Sequence, residues 1–99
     1  MPTFITTMHF TEQGIKAVRE TCHRADAFKA AAKKMGVKVN GLYWTLGAFD
    51  GVFVCEAADE ETVTAACLHL GSLGNMRTTT ARAYDAAEMQ KILGLLPKG

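Results

Sequence analysis

Between Thr3 and Phe10 the side chains alternate, with Phe4, Thr6, Met8 and Phe10 on one parity and Thr3, Ile5, Thr7 and His9 on the other. A period of two predicts a strand. Beyond Thr11 the period lengthens: Ile15, Val18, Cys22, Ala25, Phe28, Ala32 and Met35 recur at spacings of three and four, while Lys16, Glu20, His23, Lys29 and Lys33 fall off that stripe. This pattern predicts an amphipathic helix with a kink near Thr21, which is placed to cap a second helical piece, and a stop at Gly36. The segments Val37 to Leu46 and Gly51 to Ala57, rich in Val, Phe, Tyr, Trp and Thr, flank Gly47-Ala48-Phe49-Asp50 and predict a hairpin. Asp59 followed by Glu60 and Glu61 opens a second helix carrying Val63, Ala66, Cys67, Leu70 and Leu73, which stops in the Gly71 to Gly74 region. A fourth strand runs from Asn75 to Tyr84, and Asp85 with Glu88 reads as a capping box for a last short helix bearing Met89, Ile92 and Leu93.

The order βαββαβ plus a terminal helix predicts an α+β, ferredoxin-like sandwich: a four-stranded antiparallel sheet with both long helices on one face. The other face is then bare. Yet the third strand is apolar at both parities through Val52, Phe53, Val54 and Cys55, and the first places Ile5 opposite Phe4 and Met8. Strands of that kind call for cover on both sides, and too few residues remain in the chain to supply it. A second copy of the same chain is the economical cover, giving a homodimer with a small interior cavity; an edge-to-edge trimer is the rival arrangement.

The chain has 99 residues, enough for one domain spanning 1–99 and not for two cores. Eleven Lys and Arg against ten Asp and Glu leave a formal charge of +1, so no strong field attracts nucleic acid or an anionic membrane. The start Met-Pro-Thr-Phe-Ile lacks a basic region and a long apolar stretch, from which a cytoplasmic location is expected. Cys22, Cys55 and Cys67 are odd in number and without zinc-type spacing, and read as buried, reduced thiols, with Cys22 and Cys67 on core-facing stripes. No metal site and no cofactor are expected.

Candidate chemistry is sparse. Asp50 is either a turn residue bonding nearby amides or a general base at the mouth of a cavity, and the turn alone accounts for both Gly47 and Asp50. His9 is the one histidine placed in a strand, a hydrogen-bonded imidazole with the capacity to act as acid or base. Tyr43 and Trp44 are adjacent on a strand, so one packs under the helices and the other faces the open side. Candidate ligand-lining residues are Tyr43, Thr45, Arg77 and Thr79; arginine among threonines suits a carboxylate or phosphate, and equally suits a charged edge strand. Gly71-Ser72-Leu73-Gly74-Asn75 leaves a helix rather than entering one, so it reads as a helix stop and not a phosphate loop.

Leu42-Tyr43-Trp44-Thr45-Leu46-Gly47-Ala48-Phe49-Asp50 and Gly71-Ser72-Leu73-Gly74-Asn75-Met76-Arg77-Thr78 resemble the GYD domain family, as do Phe10-Thr11-Glu12-Gln13-Gly14-Ile15 and the helix end Lys33-Lys34-Met35-Gly36. The resemblance covers nearly the whole chain. It departs from the family's Gly-x-Tyr-Asp motif at Phe49, which offers no phenol, and at His9, where an Asn-like residue is the pattern. The resemblance implies the dimeric α/β-barrel assembly, in which two ferredoxin-like units join sheets around a shared interior. Relatives in that wider superfamily include cofactor-free monooxygenases, isomerases, haem-binding enzymes and ligand-binding or regulatory modules. The leading expectation is a small-molecule-binding or regulatory module. The alternatives are an oxygenase or isomerase for an aromatic or quinone-like substrate, using His9 or Asp50 as base, and a haem-binding relative using His9 as axial ligand.

Overall fold

A computed structural model describes residues 1–98. Its elements are β1 (Thr3–Phe10), α1 (Glu12–Lys16), a 3-10 turn (Val18–Glu20), α2 (Thr21–Lys34), β2 (Lys38–Trp44), β3 (Gly51–Glu56), α3 (Glu60–Ser72), β4 (Met76–Ala83) and α4 (Ala86–Leu93). Three of the four helices start at a side chain that accepts an otherwise orphaned backbone N–H: Thr11 from Gly14, Asp59 from Thr62, and Asp85 from Glu88 in a complete capping box. At the end of α2, Gly36 takes φ +87° and Val37 N–H donates to Ala32 O, the glycine-terminated stop that the sequence calls for.

The strands form one antiparallel sheet in the order β2-β3-β1-β4, the ferredoxin-like topology. Its register places Tyr43, Val52, Thr7 and Thr79 in one row across the sheet, and Leu42, Phe53, Thr6 and Thr80 in the neighbouring row on the opposite face. A bulge between Val39 and Gly41 brings β2 into this register. Phe4, Met8, Phe53 and Cys55 face the helices and pack with Phe28, Ala32, Val63, Ala66 and Leu70 into the core. The Phe28 and Phe53 rings lie 5.2 Å apart at 53°, a tilted pair, and burying each ring contributes about 2–3 kcal/mol before entropy is counted. Thr6 is the buried polar residue of this face, and its hydroxyl lies 2.8 Å from that of Thr80, so neither atom is left unpaired.

Three expectations from the helical pattern need correction. The break falls where the pattern places it, with α2 opening at Thr21 after the 3-10 turn, but the stripe does not stay inward: Ile15, Val18, Cys22 and Met35 are exposed, and only Phe28 and Ala32 of α2 are fully buried. Cys22 is thus a surface thiol, not a core residue. Thr21 does not cap α2 either; its hydroxyl accepts the indole N–H of Trp44 at 3.0 Å, tying β2 to the start of the helix. Leu73, placed on the α3 stripe by its spacing, is also exposed. The last helix departs from the body: α4 buries no residue, and the molecule measures 54 × 31 × 19 Å. Its anchor is Arg82, which donates to Glu88 at 2.8 Å and to the carbonyls of Thr3 and Ala83, while lying over the rings of Tyr84 and Phe4.

Candidate functional site

The loop between β2 and β3 is fastened to the end of β1. Thr45 N–H donates to Asp50 O and its hydroxyl to Phe49 O, while Asp50 N–H donates to Met8 O. The Asp50 carboxylate then accepts Phe10 N–H at 2.9 Å, and His9 Nε2–H donates to Ala48 O at 3.0 Å. Since a carbonyl only accepts, this bond places a proton on Nε2 of His9 and leaves Nδ1 as the imidazole's remaining site. His9, Thr45 and Asp50 therefore all close the loop, which also holds Gly47 at φ +159°.

A second fastening lies beside it. Thr11 N–H donates to Asn75 O at 3.1 Å, its hydroxyl donates to Gly74 O at 2.6 Å, and Gln13 Nε2 donates to Leu73 O and to Asn75 Oδ1. Gly14 is buried against the Asn75 carbonyl, where a Cβ would stand 2.0 Å from the oxygen. The segments Thr11-Glu12-Gln13-Gly14 and Leu73-Gly74-Asn75 are thus two halves of one latch between α1 and the entry to β4. In the sequence the second half reads only as a helix stop.

The sheet face away from the helices carries Ile5, Thr7 and His9 of β1, Val52, Val54 and Glu56 of β3, Tyr43 of β2, and Arg77, Thr79 and Ala81 of β4. Nothing among the described residues covers it, and Ile5 and Tyr43 remain 40% and 63% exposed. The Tyr43 ring folds back along the strand over Gly41, where an added Cβ would meet it at 3.1–3.4 Å. Trp44, by contrast, turns toward the helices and helps line a small apolar cavity. Of the four ligand-lining candidates, Tyr43, Arg77 and Thr79 share the open face and Thr45 is spent in the loop. Tyr43 stands on one edge strand and Arg77 with Thr79 on the other, separated by three strand spacings, or about 14 Å. A single protomer does not bring them together.

The family model of the GYD domain matches residues 4–93. This chain belongs to the GYD domain family. It is similar to a protein of Thermus thermophilus named "Glutamine synthetase and cystathionine beta-lyase binding protein", with 36% identity over 90 residues that cover 90% of this chain and 95% of the relative. No solved structure matches the chain with significance.

As a GYD domain, the chain presents surface more than reactive groups. Burial, with the neighbouring Cys67 adding to it, pushes the Cys55 thiol up to about 11, so at neutral pH it stays protonated and poorly nucleophilic. Cys67 lies 3.4 Å from the Thr80 hydroxyl, and among the described residues no imidazole or carboxylate is hydrogen-bonded to it. Among the described residues no three His, Cys, Asp or Glu side chains gather as a metal-binding group. The enclosed cavity between sheet and helices, lined by Met8, Phe10, Phe28, Leu42, Trp44 and Met76 among others, holds about 40 Å³, too little for a metabolite, whereas an open groove between α3 and β4, lined by Cys67, Leu68, Ser72, Arg77 and Thr80 among others, offers about 500 Å³. Haem ligation fits His9 poorly, because its Nε2 proton is engaged by Ala48 O. No helix is long and apolar enough to cross a membrane.

Proposed function

We propose that this chain is a homodimeric binding module that regulates an enzyme by docking on it, rather than a catalyst. The observation that carries this reading is the uncovered sheet face with Ile5, Tyr43, Val52 and Val54, in a chain whose His9, Thr45 and Asp50 are spent on closing a loop. Two such faces packed against each other form the dimer core. Apolar side chains elsewhere, Ile15, Trp44, Leu46 and Leu73, stay exposed at the loop end and suit a protein client. The similar Thermus protein, named for binding glutamine synthetase and cystathionine β-lyase, supports an enzyme as that client. Sedimentation velocity of the chain, alone and mixed with purified glutamine synthetase or cystathionine β-lyase from its own organism, tests both parts. A dimer that co-sediments with either enzyme is expected. A folded monomer at micromolar concentration, or a dimer indifferent to both enzymes, overturns the proposal.

A second reading places a small molecule between the two sheets, in keeping with the polar corner of His9, Arg77, Thr7 and Thr79 on the same open face. Native mass spectrometry of freshly purified protein separates the two. A retained organic ligand of fixed mass supports the second reading, and a bare dimer supports the first.

A further inference from the structure

We infer that the groove between α1 and the β2–β3 loop is where the client docks, and that it takes an apolar side chain of the partner with a lysine or arginine beside it. This rests on the enzyme-docking reading and adds to it where contact is made and by what chemistry. The groove, of about 290 Å³, is lined by Phe10, Ile15, Val18, Trp44, Leu46 and Asp50 among others. It lies on the helix side of the sheet, toward which Trp44 turns to meet Thr21, so a dimer built through the open face leaves it accessible. Ile15, Trp44 and Leu46 are 51%, 43% and 102% exposed, and they gather around this one groove instead of lying scattered over the surface.

The walls of the groove are fixed before any partner arrives. The Trp44 indole is tied to Thr21, and Thr45 donates to the carbonyls of Asp50 and Phe49, so a fastened loop holds Leu46 out in solvent. An apolar rim that is already ordered spares a partner the cost of ordering it. Charge then selects the partner, because Asp50 is the only charged residue among those lining the groove. One of its carboxylate oxygens accepts Phe10 N–H at 2.9 Å; among the described residues the other has neither a hydrogen bond nor an ion pair. Lys16, next to Ile15 in the chain, is held by Glu12 at 3.2 Å, and Arg19 and Glu20 beyond Val18 offset each other in charge. A purely apolar partner would strip water from the free oxygen and return nothing, and an acidic one would be repelled. A partner cation completes the carboxylate while its apolar neighbour fills the groove.

Trp44 is the chain's single tryptophan, so its emission reads the groove directly. The probes are three acetylated and amidated peptides without aromatic residues: Gly-Leu-Lys-Gly, Gly-Ser-Lys-Gly and Gly-Leu-Glu-Gly. Expected is a saturable blue shift with the Leu-Lys peptide, none with Ser-Lys and a severalfold weaker response with Leu-Glu. Asp50→Asn, which keeps an acceptor for Phe10 N–H, is expected to bring the Leu-Lys and Leu-Glu peptides to equal affinity. No shift with any peptide, or the same shift with all three, overturns the inference. So does a blue shift on concentrating the chain alone, which gives the groove to a second copy. In sedimentation mixtures with glutamine synthetase or cystathionine β-lyase, Ile15→Glu and Leu46→Glu, both at exposed side chains, are expected to weaken binding by about tenfold or more, while Leu95→Glu, exposed on the tail beyond α4, leaves it unchanged. Parent-like binding by Ile15→Glu and Leu46→Glu overturns the groove and leaves enzyme docking standing. An unmutated chain that binds neither enzyme removes the docking reading, and the peptide titration then decides the groove by itself.

Discussion

Gly14→Ala is the substitution that tests the latch between α1 and β4. The added methyl would stand 2.0 Å from Asn75 O and 2.9 Å from its carbonyl carbon, both backbone atoms that no rotamer change moves aside. To reach ordinary contact, α1 must withdraw by more than 1 Å, roughly, and overpacking of that kind costs about 1–3 kcal/mol. Withdrawal also stretches the bonds from Thr11 N–H to Asn75 O and from the Thr11 hydroxyl to Gly74 O. Each contributes about 1 kcal/mol net. Alanine's better helix propensity returns at most about 1 kcal/mol, leaving a net loss of about 2–4 kcal/mol. For a domain of this size each kcal/mol moves the midpoint by about 4–8 °C, so a drop of about 8–32 °C is expected in a circular-dichroism melt at fixed protein concentration. Gly71→Ala is the control. It lies within α3, its nearest atom to an added Cβ is Met76 O at 3.9 Å, and it is expected to hold or raise the midpoint. A Gly14→Ala chain melting within about 2 °C of the parent would refute the latch as the reason for that glycine.

Three further outcomes follow from single contacts. Asp50→Ala removes the acceptor of Phe10 N–H and is expected to cost about 1–3 kcal/mol in urea unfolding, whereas Asp50→Asn, which keeps an acceptor oxygen, costs less than half of that; equal losses would show the bond to be unimportant. Glu88 is held below its usual carboxylate range by the Arg82 guanidinium and then by Asp85 N–H, and Asp59 by the Thr62 hydroxyl and N–H. Because both folded-state values are depressed, the stability they give is present above the unfolded value and is lost as pH falls through the folded one; Glu88→Gln is expected to flatten the acid limb of a stability-against-pH curve, and an unchanged limb counts against the pair. With a thiol reagent at pH 8, Cys22 is expected to react at once and Cys55, buried and titrating at about 11, only on unfolding; prompt reaction of all three thiols would refute that burial.

Local chemistry makes much of this protein legible in its sequence. The alternation at Thr3–Phe10, the caps at Thr11, Asp59 and Asp85, and the glycine stop at Gly36 each act within a few residues, so their effect can be read from the chain itself. Together they determined the element order and with it the ferredoxin-like sheet with one face bare. What they could not determine depends on distance across the fold. Whether Ile15, Val18 and Cys22 point inward depends on how the two short helical pieces on either side of the 3-10 turn lie against the sheet, which a spacing of three or four does not register. The pairing of Thr11-Glu12-Gln13-Gly14 with Leu73-Gly74-Asn75 joins residues some sixty positions apart. Their value to each other exists only once β1 and β4 are neighbours. The same holds for the candidate ligand residues: parity placed Tyr43, Arg77 and Thr79 on strands, but only the strand order β2-β3-β1-β4 reveals that they stand on opposite edges of a single sheet. A chain specifies its own turns through bonds between near neighbours, whereas the meeting of distant residues is set by how the whole sheet and its helices pack.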